Sequence, residues 1–381
     1  MRLEELSLQD FRNYEQLAVQ FNPGINVLIG ENAQGKTNLL EAIHLLALTR
    51  SHRTNKDKEL VNWQAKVAQV KGVVVKATGK LPLEIQVGQG GKRVKVNHLP
   101  QSRLSAYIGN LNVVLFAPED LALVKGAPVI RRQFMNVEFG QMSSRYLYNL
   151  SHFNDALYQR NQYLKQLRQR QASDRLLLEV LSDQLATFGS EVAAIRYQLV
   201  KQLEKWAQPV HEEISQQKEQ LQLQYVSQLT INEESTVADL KEQLQARLRE
   251  KVDKEIAAGT TLAGPQRDDL HFLVNGNNVQ QFGSQGQQRT TALAVKLAEI
   301  DLMQEQTGEY PLLLLDDVLS ELDNDRQTHL LTAIQDKVQT FLTTTSLSGV
   351  ARQLIKTPTI YTIQAGHLQR EGWALRRNER E

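Results

Sequence analysis

The chain contains no cysteine, which excludes disulfides and thiolate metal sites, and its eight histidines show no paired ligand spacing, so no structural zinc is expected. No run approaches the ~18 apolar residues of a membrane-spanning helix. Met1-Arg2-Leu3-Glu4-Glu5-Leu6 carries charge where a secretory signal would need an apolar core, so a soluble, cytoplasmic protein is expected. Charge of one sign is also lacking. With a formal net of +1, a nucleic-acid surface would have to come from local basic clusters balanced by acidic segments elsewhere. Glycine is almost absent from about residue 144 to 248, and no internal repeat or low-complexity linker is visible. What is present suffices for a core: 41% of the 381 residues are hydrophobic, enough for two or three domains or one large domain with an insertion.

The stretch Gly30-Glu31-Asn32-Ala33-Gln34-Gly35-Lys36-Thr37 has the pattern G-x-x-x-x-G-K-[ST]. In such a loop, glycines let backbone N–H groups converge on phosphate oxygens, the lysine adds a point charge, and the Thr hydroxyl is offered to Mg²⁺. The context agrees. Gly24 to Ile29 is a short apolar run bounded by Pro23-Gly24, as in a buried strand, and Asn38 to Leu48 is rich in helix formers, with Leu39, Ile43 and Leu46 at helical spacing. That helix would point its free N–H groups and partial positive charge at the phosphates. His44, on its mostly apolar surface, is expected to be packed rather than catalytic.

Leu3 to Leu8 and Gln16 to Phe21 alternate apolar with polar residues, which predicts two strands joined through Asp10 to Tyr14 and feeding the sheet that ends in the phosphate loop. Val67 to Val96 reads as antiparallel β structure with turns at Gly79, Gly88 and Gly90-Gly91, and Leu111 to Phe116 as a buried strand stopped by Ala117-Pro118. Farther on, Leu177, Leu181, Leu185, Phe188, Val192, Ile195, Leu199, Leu203 and Trp206 step by three or four residues. This predicts a long amphipathic helix inside a bundle. The expected organisation is an α/β domain whose first half is 1–120, an inserted, mainly helical subdomain over 121–261, and the second half of the α/β domain over 262–381.

Leu312-Leu313-Leu314-Leu315-Asp316-Asp317 reads as a central parallel strand that delivers two carboxylates to its C-terminal edge, where phosphates sit. Asp316 would hold Mg²⁺, together with Thr37, and Asp317 would polarise the attacking water, which makes the pair the candidate catalytic residues. Upstream, Gly283-Ser284-Gln285-Gly286-Gln287-Gln288-Arg289 precedes a helical stretch, with Ser284 and Gln287 at capping-box spacing. The functional reading is that this N-terminus, through Ser284, Gln285, Gly286 and Gln287, meets the γ-phosphate of a second protomer's nucleotide. The local basic clusters from which a nucleic-acid surface would have to come are Arg50 and Arg53, with Lys56 and Lys58 in the same polar loop, and Arg131 and Arg132 at the entrance to the insertion; Arg160, Lys165, Arg168 and Arg170 form a further cluster whose plainer reading is a solvated helix face.

Phosphate loop, capped helix and paired-acid strand, in this order with a helical insertion, resemble the ATP-binding-cassette class of ATPase, in the branch of chromosome-maintenance and Rad50-like proteins. Within that branch the chain is similar to the bacterial RecF family. The resemblance rests on Leu6 to Tyr14, Gly30 to Thr37, Arg50-Ser51-His52-Arg53, Phe116 to Leu121 with Lys125-Gly126 and Arg131-Arg132, Gly264-Pro265-Gln266-Arg267-Asp268-Asp269, Ser284 to Arg289, and Asp316-Asp317 with Ser320-Glu321-Leu322-Asp323, which together span essentially the whole length. It implies an ABC/SMC-type P-loop fold, ATP and Mg²⁺ as cofactors, and an ATP-dependent homodimer with weak DNA-dependent ATPase activity. It further implies binding at junctions of single- and double-stranded DNA, RecR as partner, RecO indirectly, and RecA loading downstream.

Four departures from the pattern stand out. Asp317 occupies the place where the usual cassette ATPase has Glu; this agrees with the RecF family, shortens the base by one methylene and implies slow turnover. A switch histidine after the next strand is missing, and Thr345 is the residue placed in that role. Gln266 stands where the family usually carries His, and no cassette Q-loop glutamine is placed because the region reads Ala117-Pro118-Glu119-Asp120. Two alternative readings are a transporter's nucleotide-binding subunit, which the helical insertion and the Asp10 to Tyr14 opening oppose, and a Rad50-like scaffold, which would need a far longer coiled coil than about one hundred residues supply.

Overall fold

The computed structural model describes residues 1–346, 354–355 and 357–371. In chain order the strands are β1 (Arg2–Phe11), β2 (Tyr14–Gln20), β3 (Ile25–Ile29), β4 (Val67–Lys76), β5 (Gly79–Gly88), β6 (Gly91–Val96), β7 (Leu99–Pro100), β8 (Val113–Phe116), β9 (Leu221–Val226), β10 (Asp269–Val274), β11 (Asn277–Asn278), β12 (Leu312–Asp316), β13 (Thr340–Thr344), β14 (Thr359–Gln364) and β15 (His367–Glu371). The helices are α1 (Lys36–Leu48), α2 (Leu121–Lys125), α3 (Pro128–Met142), α4 (Ser144–Arg168), α5 (Arg175–Ile214), α6 (Val237–Ala258), α7 (Val279–Phe282), α8 (Gln285–Thr307) and α9 (Asn324–Ile334). The chain divides into two compact units, Met1–Asp120 with Lys296–Glu381, and Leu121–Val295.

The first unit holds two sheets. One is antiparallel, in the order β2-β1-β4-β5-β6-β7; the other runs β8-β12-β13-β3-β14-β15, parallel except for β15. All five residues of β3 and of β13 are buried, as a strand covered on both faces requires. Helix α1 packs against β1, β4 and β5 on one side and β8, β12 and β13 on the other. It therefore buries eleven of its thirteen residues, including Glu41 and His44, and has no solvent face to be amphipathic about. The approach is close: a Cβ on Gly72 of β4 would lie 2.5 Å from Leu46 Cδ2.

The first two strands do not join the phosphate-loop sheet, contrary to the sequence expectation. β1 pairs with β2 and, through a bulge between Leu3 and Glu5, with β4, all antiparallel. Leu3, Leu6, Leu8 and Phe11 thereby form the inner face of the other sheet. Alternation identifies a half-buried strand but carries no information about which sheet receives it.

The second unit is a helical assembly with a small antiparallel sheet, β11-β10-β9. Helix α5 runs 40 residues, about 60 Å at helical rise, and is capped by the Asp174 carboxylate on the Leu176 and Leu177 N–H groups. Leu185, Val192, Leu199 and Leu203 line its buried stripe, whereas Leu177 is exposed. Gly189 lets three helices close: a Cβ there would sit 2.9 Å from Leu244 of α6 and 3.2 Å from Phe153 of α4. The unit ends at Val295 rather than at 261 because β10 pairs with β9, which ties 269–274 to the helical segment, and α7 packs on α2 and β10.

Candidate nucleotide site

Between β3 and α1 the chain turns through Ala33 at φ 65° and Gly35 at φ 115°. Gly35 is required twice over, since its left-handed backbone favours glycine and a Cβ would come within 2.7 Å of Asn13 Nδ2. Gly30 is equally confined, with the Ile363 carbonyl 2.4 Å from where a Cβ would stand. Lys36 Nζ donates to the Gly30 and Glu31 carbonyls at 2.5 and 2.8 Å, folding its ammonium back over the loop. Burial pulls the Lys36 pKa below that of a free lysine, against the pull of the Asp317 and Asp316 carboxylates.

Sequence reasoning missed what holds this loop. The Tyr14 hydroxyl donates to the Gly35 carbonyl at 2.9 Å and Asn13 Nδ2 to the Gln34 carbonyl at 3.2 Å. From the other end of the chain, Ala365 N–H donates to Gln34 Oε1 at 2.6 Å and Gly366 N–H to the Gln34 carbonyl at 3.1 Å. Below the loop, Arg12 grips Glu41 with two hydrogen bonds of 2.8 and 2.7 Å. Burial would raise the Glu41 carboxyl, yet hydrogen bonds from Arg12 and Ser51 and the nearby Arg53 charge hold it below the usual carboxylate range. Arg12, Asn13 and Tyr14, in the Asp10 to Tyr14 segment, and Ser51 and Arg53 gave a sequence signal only through resemblance, and Gln34, Ala365 and Gly366 gave none as partners.

At the C-terminal edge of β12, Asp316 meets the loop directly: Thr37 Oγ1 donates to Asp316 Oδ1 at 2.9 Å across 279 residues of sequence. Thr343, opposite Asp316 in the β12–β13 register, donates to the same oxygen at 2.8 Å. Asp317 leaves the strand in a left-handed conformation, φ 54°, with its N–H on Thr343 Oγ1 at 2.9 Å and its carbonyl accepting from Ser320 Oγ at 2.7 Å. A threonine hydroxyl and one carboxylate, both hard oxygen donors, fit Mg²⁺, which takes one or two carboxylates and completes its shell with phosphate and water. Among the described residues no cluster of three or more His, Cys, Asp or Glu could hold a different metal. Thr345 lies beyond the end of β13 and is exposed.

His44 is packed. Its Nδ1 lies 3.0 Å from the Arg50 carbonyl and its ring meets that of His52 edge to face, while burial, then the neighbouring His52, pushes its pKa down to about 3. Ser284 and Gln287 form a reciprocal capping box, with Ser284 N–H donating to Gln287 Oε1 at 2.9 Å and Gln287 N–H to Ser284 Oγ at 3.2 Å. Ser284, Gln285 and Gly286 are exposed. They belong to the second unit.

The basic candidates separate. Arg53 is exposed, donating to Asn38 Oδ1 at 2.8 Å with Glu41 at 3.6 Å, and Arg50 is half-buried. Arg131 does not belong to a DNA surface: it is 2% exposed and spends its guanidinium on Asp269 and the Gly126 carbonyl. Arg132 is half-buried, with Nη1 donating to the Asp268 carbonyl at 3.0 Å. Arg160 is fully buried, bonded to Ser182, Thr261 and Glu255, while Lys165, Arg168 and Arg170 are exposed.

A phosphate loop after a central parallel strand, closed by a hydroxyl on the acid that ends another, defines an ATP-binding P-loop ATPase. Residues 2–367 match the family described as the RecF/RecN/SMC N-terminal domain. The chain is 70% identical to the DNA replication and repair protein RecF of Limosilactobacillus fermentum, over 97% of this chain and 100% of that protein. It is similar to a solved structure of the recombination mediator protein RecF-ATP in the RecFOR pathway, with 32% identity, a TM-score of 0.90, and 97% of each chain covered. The Smc head domain of Pyrococcus furiosus shares the fold, with a TM-score of 0.55 at 15% identity over 97% of this chain and 95% of that one. The chain belongs to the RecF family of DNA replication and repair proteins. The comparisons favour that reading over a transporter subunit or a Rad50-like scaffold. No helix among the described residues is long and apolar enough to cross a membrane.

Proposed function

We propose that the chain is an ATP-driven DNA clamp of recombinational repair and replication-gap processing. Lys36 and the loop amides bind the β- and γ-phosphates, and Thr37 and Asp316 would hold Mg²⁺, which when bound neutralises phosphate charge. Asp317 orients and deprotonates the attacking water; Ser284 to Gln287 of a second protomer close over the γ-phosphate, so that two nucleotides are sandwiched between two copies. The dimer grips DNA at single-strand/double-strand junctions, Arg50 and Arg53 contacting phosphates, and slow, DNA-dependent hydrolysis releases it. RecR is the direct partner, RecO acts indirectly and RecA is loaded downstream, all in the cytoplasm. The observation that carries this reading is the 2.9 Å hydrogen bond from Thr37 to Asp316, which joins phosphate loop and acid strand into one site. Light scattering with ATP, ADP or no nucleotide, run beside DNA anisotropy, tests it: ATP alone should convert monomer to dimer, with DNA affinity following. A monomer that binds DNA equally well without ATP would defeat it.

A further inference from the structure

We propose that Thr343 is the positioning residue for both acids, a role that rests on the metal and base assignments above. Its side chain is 1% exposed and has one hydroxyl with two uses. The hydroxyl proton goes to Asp316 Oδ1 at 2.8 Å; the Leu315 carbonyl, at 3.4 Å, is the poorer acceptor. The oxygen accepts the Asp317 N–H at 2.9 Å. One atom on the neighbouring strand therefore sets the carboxylate orientation of one acid and the backbone path of the next.

The effect on Asp316 is directional. Thr37 and Thr343 both address Oδ1, from the phosphate loop and from β13, so the carboxylate is pinned from two sides and Oδ2 is the oxygen left to a ligand. The effect on Asp317 is conformational. A non-glycine residue at φ 54° is disfavoured unless its surroundings hold it there. Thr343 at its N–H and Ser320 at its carbonyl do so, which turns the chain sharply out of β12 and frees the Asp317 side chain to face solvent. Thr343 lies two residues before Thr345, inside the strand, and touches both acids.

Thr343→Val keeps the shape and strand preference of the side chain and removes only the hydroxyl, and Thr343→Ser restores it. In titrations with a fluorescent ATP analogue, the Mg²⁺ concentration for half-maximal binding should rise about tenfold in the Val variant. The Ser variant should stay near the wild type, and nucleotide affinity without Mg²⁺ should be unchanged, because the phosphate loop is untouched. A purely structural role would instead lower Mg²⁺-free affinity and nucleotide-free thermal midpoint together. A folded Val variant with the wild-type Mg²⁺ requirement would overturn the inference, and if Val does not fold, Thr343→Ala in the same titration decides. Asp316→Ala separates the two levels: should it too titrate like the wild type, the metal assignment falls and the inference with it, whereas an impaired Asp316→Ala beside a normal Thr343→Val overturns the inference alone.

Discussion

Arg131 and Asp269 lie 138 residues apart and are joined by two parallel hydrogen bonds of 2.7 and 2.8 Å, with the guanidinium almost wholly out of water. The pair fastens α3 to the first residue of β10, while the third guanidinium nitrogen bonds the Gly126 carbonyl. Arg131→Ala would strip the largely buried Asp269 carboxylate of its two-pronged partner, leaving it the Leu270 N–H and the His271 ring, at a cost of about 3 kcal/mol. Denaturant unfolding should show that loss, and DNA affinity measured well below the midpoint should keep its salt dependence. A stable Arg131→Ala chain with a reduced salt slope would return this arginine to the DNA surface.

Arg50 and Arg53 remain the DNA candidates next to the phosphate-loop helix. Replacing both with Ala should weaken binding to every sequence and lower the slope of log affinity against log salt by about one to two. Because Arg53 sits 3.6 Å from Glu41 of α1, ATP affinity has to be measured in parallel. An unchanged salt slope removes the loop from the DNA surface; a fall in ATP affinity assigns the arginines to the nucleotide instead.

Ser284→Arg introduces a long cation at an exposed helix cap and should leave ATP binding to the monomer nearly intact while preventing the dimer. Light scattering that still shows a dimer with ATP would end the reading in which this cap serves the other copy's nucleotide.

Asp317→Asn keeps the Asp316 carboxylate and so should retain Mg-ATP, but hydrolysis should slow by about a hundredfold or more and dimers should accumulate on DNA. Phosphate release at the wild-type rate would move the base elsewhere.

His44 makes stability depend on pH. Its folded pKa, about 3, lies below the ordinary value near 6.5, so the native state holds it neutral while the unfolded chain takes up a proton. The contribution is complete above about pH 6.5 and is lost as pH falls from there toward 3, at up to about 1.4 kcal/mol per pH unit. His44→Gln should flatten the stability profile between pH 6.5 and 4.5 relative to the wild type, and equal slopes would locate the acid sensitivity in other groups.

The parts of the molecule legible in the sequence are those written in short, contiguous patterns. Gly24 to Leu48 announces strand, loop and helix by composition alone; four leucines before Asp316 announce a strand buried on both faces; the leucine steps from 185 to 203 announce a helix. Hidden were relations set by tertiary pairing. Nothing local to Arg131 distinguishes a buried clamp from a solvated arginine until Asp269 is brought to it. Nothing in Thr343-Thr344-Thr345 says which of three identical hydroxyls faces the acids; that follows from the β12–β13 register, Asp316 against Thr343. The second border of the helical unit failed for the same reason, since the β9–β10 pairing decides it.

The strand that leads into the phosphate loop is flanked by β13 and β14, both made from the last part of the chain. A ribosome working at ~5–20 residues per second therefore delivers β3 at the outset and its two neighbours some tens of seconds later. Through that interval five apolar-flanked backbone positions lack their permanent partners, and Gln34 waits for Ala365 and Gly366 to fix the loop. A nascent chain of this protein thus cannot complete its nucleotide grip until Ala365 and Gly366 have been made.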